Sequence, residues 1–404
     1  MNTCSIGGTV TLELSKVTAQ VAQLGEQAAQ RKQRYRALVP ELMQALTEYA
    51  ADADLRHLVE EAVRHGWTGG ASAHELLDAA IDPIALPERV TIVAADGSQI
   101  YPDRHGSALY CVINIGSLIL RLGSGEAPIV EAAPEVYYDE KQLYDDDENL
   151  ITAQLINARR TVMEMTTLTR LACEEVQLAS TVALSDGNIA LRVKQEGIPE
   201  RERQRLQDQY LAQLHRLRGS QVTVGSFISR PSATSVVRLL HLARTCSIDR
   251  VAEYVKNRVR PYDGITDTPV FEALLQPLQR SAIFKQVTQW AKPYEEVGHA
   301  IHFFYVNVST PDRRAVVRVE MPEWVAADAD KVNLLHAVVV DQCRVTSIPY
   351  PYVLTRADEM AVITTVEKSN LEQMIAMEMI KRNVDATPSE KAATKTIARY
   401  GKRR

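Results

Sequence analysis

Cysteine is sparse in this sequence, and the few that occur stand far apart. The 404 residues include five, at Cys4, Cys111, Cys173, Cys246 and Cys343. No C-x-x-C unit occurs, which argues against a zinc knuckle, and an odd, scattered set gives no disulfide framework. A reducing cytoplasm fits this usage best. Long apolar runs are also missing. No stretch of about 18 uninterrupted apolar residues occurs, so no membrane span is expected. The start "MNTCSIGGTVTLELSKVTAQ" lacks the basic opening and apolar core of a secretion signal. No internal repeat is present. No G-x-x-x-x-G-K-[ST] loop occurs, so the chain carries no P-loop motor of its own. An excess of positive charge is lacking too. The net charge is -5, which argues against coating nucleic acid by bulk charge but leaves room for a local basic channel.

What is present is ample for a core: 46% of residues are hydrophobic, which excludes wholesale disorder. Residues from about 10 to 80 read as helical, with Leu12, Leu14, Val17, Val21 and Leu24 on one face, until Trp67-Thr68-Gly69-Gly70 breaks the pattern. From Val90 the texture changes to strands. The first ends at Ala95, and "SALYCVINIGSLILRL" and "APIVEAAPEVYY" follow with short connections, predicting an antiparallel meander. A single long helix is expected from "YDDDENLITAQ" to "EEVQLA", with Asp145, Asp146 and Asp147 near its positive N-terminal end. Then come a short strand from Thr181 to Leu184 and a charged helix over 197–220 with Leu206, Tyr210, Leu214 and Leu217 as its apolar positions. The segment "QVTVGSFISRPSATSVVRLLHLAR" reads as strand, turn and helix. Residues 247–300 show no clear pattern. "HFFYVNVST" and "RAVVRVEMP" form a hairpin around Pro311-Asp312, "KVNLLHAVVVDQCRV" reads as helix or strand, and a helix starts near Val353. The tail "SEKAATKTIARYGKRR" is basic and loose.

Two strands end alike. The run "VTIVAADGSQIYPD" delivers Asp96-Gly97, and "TVALSDGNIAL" delivers Asp186-Gly187. Asp-Gly is a common turn pair, which is the bland reading. The sharper reading is that both carboxylates hold metal. In a two-metal phosphodiester nuclease the ions sit roughly 3.5–4 Å apart and clamp the attacking and leaving oxygens, and Mg²⁺ and Mn²⁺ prefer oxygen ligands. Flanking helices must supply further carboxylates. Glu164 in "ARRTVMEMTT" and Asp358 in "LTRADEMAV" are the candidates, although each alone can be an ordinary surface carboxylate.

The motifs "VAADGSQIYPD", "LYCVINIG", "RRTVMEM", "ALSDGNIAL", "GSFISRPSATSVVRLL", "AVVRVEMPEW" and "YPYVLTRADEMAVI" follow one another in the order of the NurA family of DNA-repair nucleases. The chain resembles that family over about residues 90–365. The resemblance implies an α/β fold: an RNase H-like mixed β-sheet core flanked by helices, with an N-terminal helical region and a helical insertion. With the helical pattern before it and the basic tail after it, the chain is expected to divide into an N-terminal helical region (1–85), a nuclease domain (86–370, insertion about 195–300) and a C-terminal helix with basic tail (371–404). The resemblance implies Mn²⁺- or Mg²⁺-dependent cleavage of DNA at a two-metal site, as 5′-to-3′ exonuclease and single-strand endonuclease. It further implies work in double-strand break end resection beside a HerA-type hexameric translocase, and a homodimer. Carried over, the metal ligands fall on Asp96, Glu164, Asp186 and Asp358, with Tyr350 of Tyr350-Pro351 as a further catalytic residue. Many relatives carry His where Asp358 stands, and Asp there shifts preference toward Mg²⁺. Glu174 and Glu175 on the same helix compete with Glu164 for the helix ligand. Arg230 in "FISRPS" falls near the substrate and is expected to contact phosphate.

Several alternatives stand beside these. Tyr350 can position the scissile phosphate or pack a proline-rich turn, and Arg230 can be a surface ion pair. Gln99 and Tyr101 are candidates to line the DNA path. His299 and His302 form an H-x-x-H pair that could ligate zinc, but no helical pattern or third ligand accompanies it. At the level of function, the rivals are a non-cleaving nucleic-acid binding module on the same fold and a structural partner of a motor ATPase.

Overall fold

The computed structural model describes residues 13–73, 75–145, 148–192, 197–257, 261–346 and 348–384. Leu12, Asp146, Asp147 and the basic tail lie outside them. The strands are β1 (Gly70–Ala73), β2 (Ala80–Ile81), β3 (Val90–Ile100), β4 (Cys111–Leu122), β5 (Ile129–Tyr137), β6 (Thr181–Asp186), β7 (Thr223–Ile228), β8 (Arg280–Ser281), β9 (Phe284–Val287), β10 (Ile301–Asn307) and β11 (Val316–Pro322). The helices are α1 (Thr18–Glu48), α2 (Ala53–Arg64), α3 (Glu140–Leu143), α4 (Ala153–Glu175), α5 (Glu200–Gly219), α6 (Ser235–Thr245), α7 (Val251–Lys256), α8 (Thr268–Leu274), α9 (Lys292–Glu296), α10 (Glu323–Ala326), α11 (Ala329–Val345), α12 (Tyr352–Ala361) and α13 (Thr365–Lys381).

Among the described residues the strands join into one mixed sheet, ordered β1-β9-β10-β11-β7-β6-β3-β4-β5, with β8 beside β10 and β2 beside β8. The expected meander is there: β3, β4 and β5 pair antiparallel. β6 then joins the other edge of β3 in parallel, and β7 joins β6 in parallel. A parallel return needs a crossover, and α4 supplies the first while α5 supplies the second. Helix α5 buries Leu206, Tyr210, Leu214 and Leu217, the four positions its periodicity marks.

Two apolar clusters build the core. The larger packs β3, β4, β6 and β7 against α4, α5, α11 and α12. The smaller joins α1 and α2 to α6, α8 and one side of β9 and β10, so the N-terminal helices and the middle of the chain share a core. The beginning of α1 and the 3-10 turn before it (Leu14–Val17) stay outside it: Leu14, Val21 and Leu24 are 66%, 59% and 67% exposed.

Two expectations about boundaries need correction. β3 does not end at Ala95 but continues to Ile100, with Asp96 paired opposite Gly116 of β4. Asp96-Gly97 is therefore strand, not turn. The long helix does not begin in the acidic run. Tyr144 bridges Leu150, Asp145 accepts from the Asn149 amide at 2.8 Å, and α4 starts only after Thr152, whose hydroxyl caps Leu155 N. The dipole's preference for acid is worth only about 0.3–1 kcal/mol. A loop that buries Leu143 and Ile151 outweighs it.

Candidate active site

β3 and β6 run parallel with Ala95 opposite Ser185, so the next residues, Asp96 and Asp186, emerge side by side. After Asp186 the chain turns through Gly187 at φ +82°, a conformation costly for other residues, and Gly187 N binds Phe227 O at 2.9 Å. Gly97 has a different purpose. A Cβ there would lie 2.6 Å from Glu164 Oε1 and 2.8 Å from Arg160 Cγ. The missing side chain is the space through which α4 brings Glu164 to the strand.

Helix α12 brings Asp358 from its own side. A Cβ at Gly116 would overlap the backbone of Ala357 and Ala361, so the helix lies directly on β4. Its last carbonyls, orphaned by the helix end, accept from Ser98 Oγ (2.5 Å to Ala361 O) and Asn114 Nδ2 (2.7 Å to Ala361 O, 3.1 Å to Met360 O). The Asp-Gly-Ser triplet thus divides its labour: Asp96 faces the cluster, Gly97 admits Glu164, and Ser98 anchors the helix that carries Asp358.

The carboxylates sense one another. Burial pushes Asp96 up to about 6; its bond to Gly97 N at 2.8 Å opposes this, while Asp358, by charge and by a shared hydrogen bond, and Asp186 add to it. Burial likewise pushes Glu164 up to about 7 against the pull of Arg160, with Asp96 and Asp186 adding repulsion. Asp186 is raised by burial, opposed by hydrogen bonds from the Tyr350 hydroxyl and Gly187 N, with the Asp358 charge adding to the rise. Burial and these carboxylates hold the Tyr350 phenol protonated, and its ring meets Phe227 edge-on at 5.4 Å. Among the described residues no three His, Cys, Asp or Glu side chains stand in a preformed metal-ligand shell. The four carboxylates approach one another from two strands and two helices, and their like charges repel.

Arg160, which sequence reading missed, lies in this cluster. Its Nε is 2.9 Å from Glu164 Oε1 but misaligned, so both atoms lack a hydrogen bond. Its Nη1 donates to Gln99 Oε1 at 2.9 Å, Gln99 Nε2 donates to Tyr101 Oη, and Tyr101 Oη donates to Asn157 Oδ1. Gln99 and Tyr101 therefore brace Arg160. The i, i+4 spacing of Arg160 and Glu164 was the available signal. The competing glutamates are engaged elsewhere. Glu175 is held by Arg121 at 2.6 and 2.7 Å, and Glu174 pairs with Arg170 at 3.7 Å. Arg230 lines a cavity of about 640 Å³ that also reaches Tyr350. His299 and His302 do not pair with each other. Trp324 Nε1 donates to His299 Nδ1 and His215 Nδ1 faces His299 Nε2, both at 3.1 Å, while His302 Nδ1 lies 3.1 Å from Ala300 O.

Behind Asp186 the chain is latched by buried polar groups. Ile189 N donates to Glu320 Oε2 at 3.1 Å, and Ile189 O and Leu191 O accept from the hydroxyls of Tyr210 and Tyr294. Glu320 is 1% exposed and pairs at 2.7 Å with Arg318, 3% exposed. Glu320→Ala leaves that buried guanidinium without its carboxylate partner, with Gln286 still accepting from it at 2.8 Å, so a loss of about 3 kcal/mol is expected in urea unfolding. An unchanged midpoint would refute the latch.

The sequence profile of the NurA domain matches residues 90–363, well over half of the 404-residue chain. No curated protein sequence matches. Among solved structures, the crystal structure of the NurA nuclease from Sulfolobus solfataricus aligns with a TM-score of 0.46 at 14% identity, covering 89% of this chain and 99% of that one. On the extent of the profile match, the chain belongs to the NurA domain family.

Proposed function

We propose that this protein is a divalent-metal-dependent deoxyribonuclease whose centre is Asp96, Glu164, Asp186 and Asp358. The observation that carries the reading is the convergence of these four carboxylates, from two parallel strands and two helices, beside the Tyr350 hydroxyl. The strand order supports the RNase H-like interpretation of the core: a three-stranded meander whose first strand is extended by two parallel strands.

The donor set fits Mn²⁺ or Mg²⁺. All four side chains offer oxygen, which hard cations prefer, and Glu164 Oε1 has no hydrogen bond to lose. Bound there, two such ions would supply Lewis acidity toward the phosphate and lower the pKa of water. The protein's own groups do the rest. Tyr350 fixes the orientation of Asp186 by donating its one hydroxyl proton to that carboxylate. Arg160 offsets the charge of Glu164 and, with Gln99, holds it in place. Arg230 binds phosphate beyond the centre.

The finer reading adds 5′-to-3′ exonuclease and single-strand endonuclease action in double-strand break end resection, in the cytoplasm. The absence of a P-loop supports a motor supplied in trans, a HerA-type translocase, and the exposed Leu14, Val21 and Leu24 of the N-terminal helix region are the proposed docking face. A homodimer belongs to the same reading, supported by the exposed Val366, Met374, Met377 and Ile380 of α13. Among the described residues no helix is long and apolar enough to cross a membrane.

Incubating the purified chain with end-labelled single- and double-stranded DNA, with and without Mn²⁺, tests the proposal. Metal-dependent cleavage is expected. Binding without cleavage under Mn²⁺ and Mg²⁺ would favour the non-cleaving module, and neither binding nor cleavage would favour the structural partner.

A further inference from the structure

The cavity beside Tyr350 holds more positive charge than one phosphate contact needs. Its walls include Arg230 and Thr268 and, from the turn joining β10 to β11, Arg313 and Arg314; Glu272 is the opposing acid. Three arginines thus meet one glutamate. Five arginines elsewhere, Arg121, Arg159, Arg244, Arg280 and Arg318, pair with carboxylates. Arg230, Arg313 and Arg314 are exposed and form no ion pair among the described residues. Gathering unpaired guanidinium groups gains the fold nothing, since like charges repel, and an anionic ligand is what completes the set.

The position narrows the ligand. One wall is Tyr350, whose hydroxyl bonds Asp186, so a chain whose reacting bond lies at the carboxylates continues directly into this space. The net charge of -5 repels a polyanion overall, so attraction must come from a local group of cations. The β10–β11 turn, the 229–231 segment and the 348–350 segment line one space of about 640 Å³, the scale of a small-molecule pocket, which suits one backbone rather than the two of a duplex. Resting on the nuclease reading, we propose that this cavity seats phosphates of a single-stranded polynucleotide next to the scissile bond, with Arg313 and Arg314 as contacts beyond Arg230.

Fluorescence anisotropy of an end-labelled single-stranded oligonucleotide tests this on the full chain. EDTA is present, so binding is read without cleavage. On a single strand each neutralised phosphate contributes about -0.7 to the slope of log K against log salt. The double variant R313Q/R314Q is expected to lose about 1.4 of that slope and to bind more weakly at low salt, with an unchanged unfolding midpoint. Slope and affinity equal to wild type would overturn the site. An equal loss on a duplex probe, with no preference for the single strand, would overturn the single-strand assignment. The nuclease reading fails separately: if Asp96→Asn cleaves like wild type while R313Q/R314Q loses the slope, the carboxylate centre is wrong and the binding site stands.

Discussion

Asp96→Asn is expected to lower DNA cleavage by at least about a hundredfold, in line with losing a Lewis-acid ion, while the protein melts no earlier than wild type at pH 8. Asparagine keeps the size of the side chain and can still accept from Gly97 N, but it carries no charge for a cation. The stability half follows from linkage. Burial and neighbouring carboxylates push Asp96 from the usual 3.8 up to about 6. A raised carboxyl binds its proton more tightly in the folded protein. Its contribution is full below about pH 3.8 and is lost as pH rises through about 6. At pH 8 the ionised side chain is a liability that asparagine removes. The advantage of the variant should shrink as pH falls toward 4. Activity and melting are separate readouts, so a general unfolding defect cannot mimic the result. Wild-type cleavage by Asp96→Asn would end the carboxylate-centre reading.

Chelation should have the other large effect. EDTA is expected to abolish cleavage, and Mn²⁺ or Mg²⁺ to restore it. Binding should also show without DNA: at a hundredfold excess over Kd, a cation that binds only the folded chain stabilises it by about 2.7 kcal/mol, measurable as a shift in urea midpoint that Asp96→Asn lacks. The pH dependence has a definite sign. Carboxylates must lose protons to hold a cation, and Asp96 at about 6 and Glu164 at about 7 are the protons to be displaced. Apparent affinity should therefore rise from pH 6 to 8, with proton release visible by calorimetry in buffers of different ionisation enthalpy. Asp358→His should keep partial activity with Mn²⁺. Restoration by zinc alone, dependent on both His299 and His302, would move the centre away from the carboxylates altogether.

The local elements follow from short-range pattern in the chain. Helix α5 is legible because Leu206, Tyr210, Leu214 and Leu217 repeat at helical spacing, and periodicity needs no knowledge of partners. The meander is legible because apolar runs alternate with short turns. The two Asp-Gly pairs were visible as chemistry, and family resemblance assigned them a role. How they are used depends on long-range packing. Asp96 and Asp186 are neighbours only because β3 and β6 pair in parallel in one register, a relation between segments about ninety residues apart. That Asp96-Gly97 is strand rather than turn depends on β4 lying opposite. The reason Gly97, Ser98 and Gly116 are what they are lies in helices α4 and α12, which reach them from distant parts of the chain. Glu320 and the arginines of the β10–β11 turn had no readable role in one dimension, because a charge acquires its purpose from the groups placed around it. Local spacing fixes which face a residue takes; only packing fixes what it meets there.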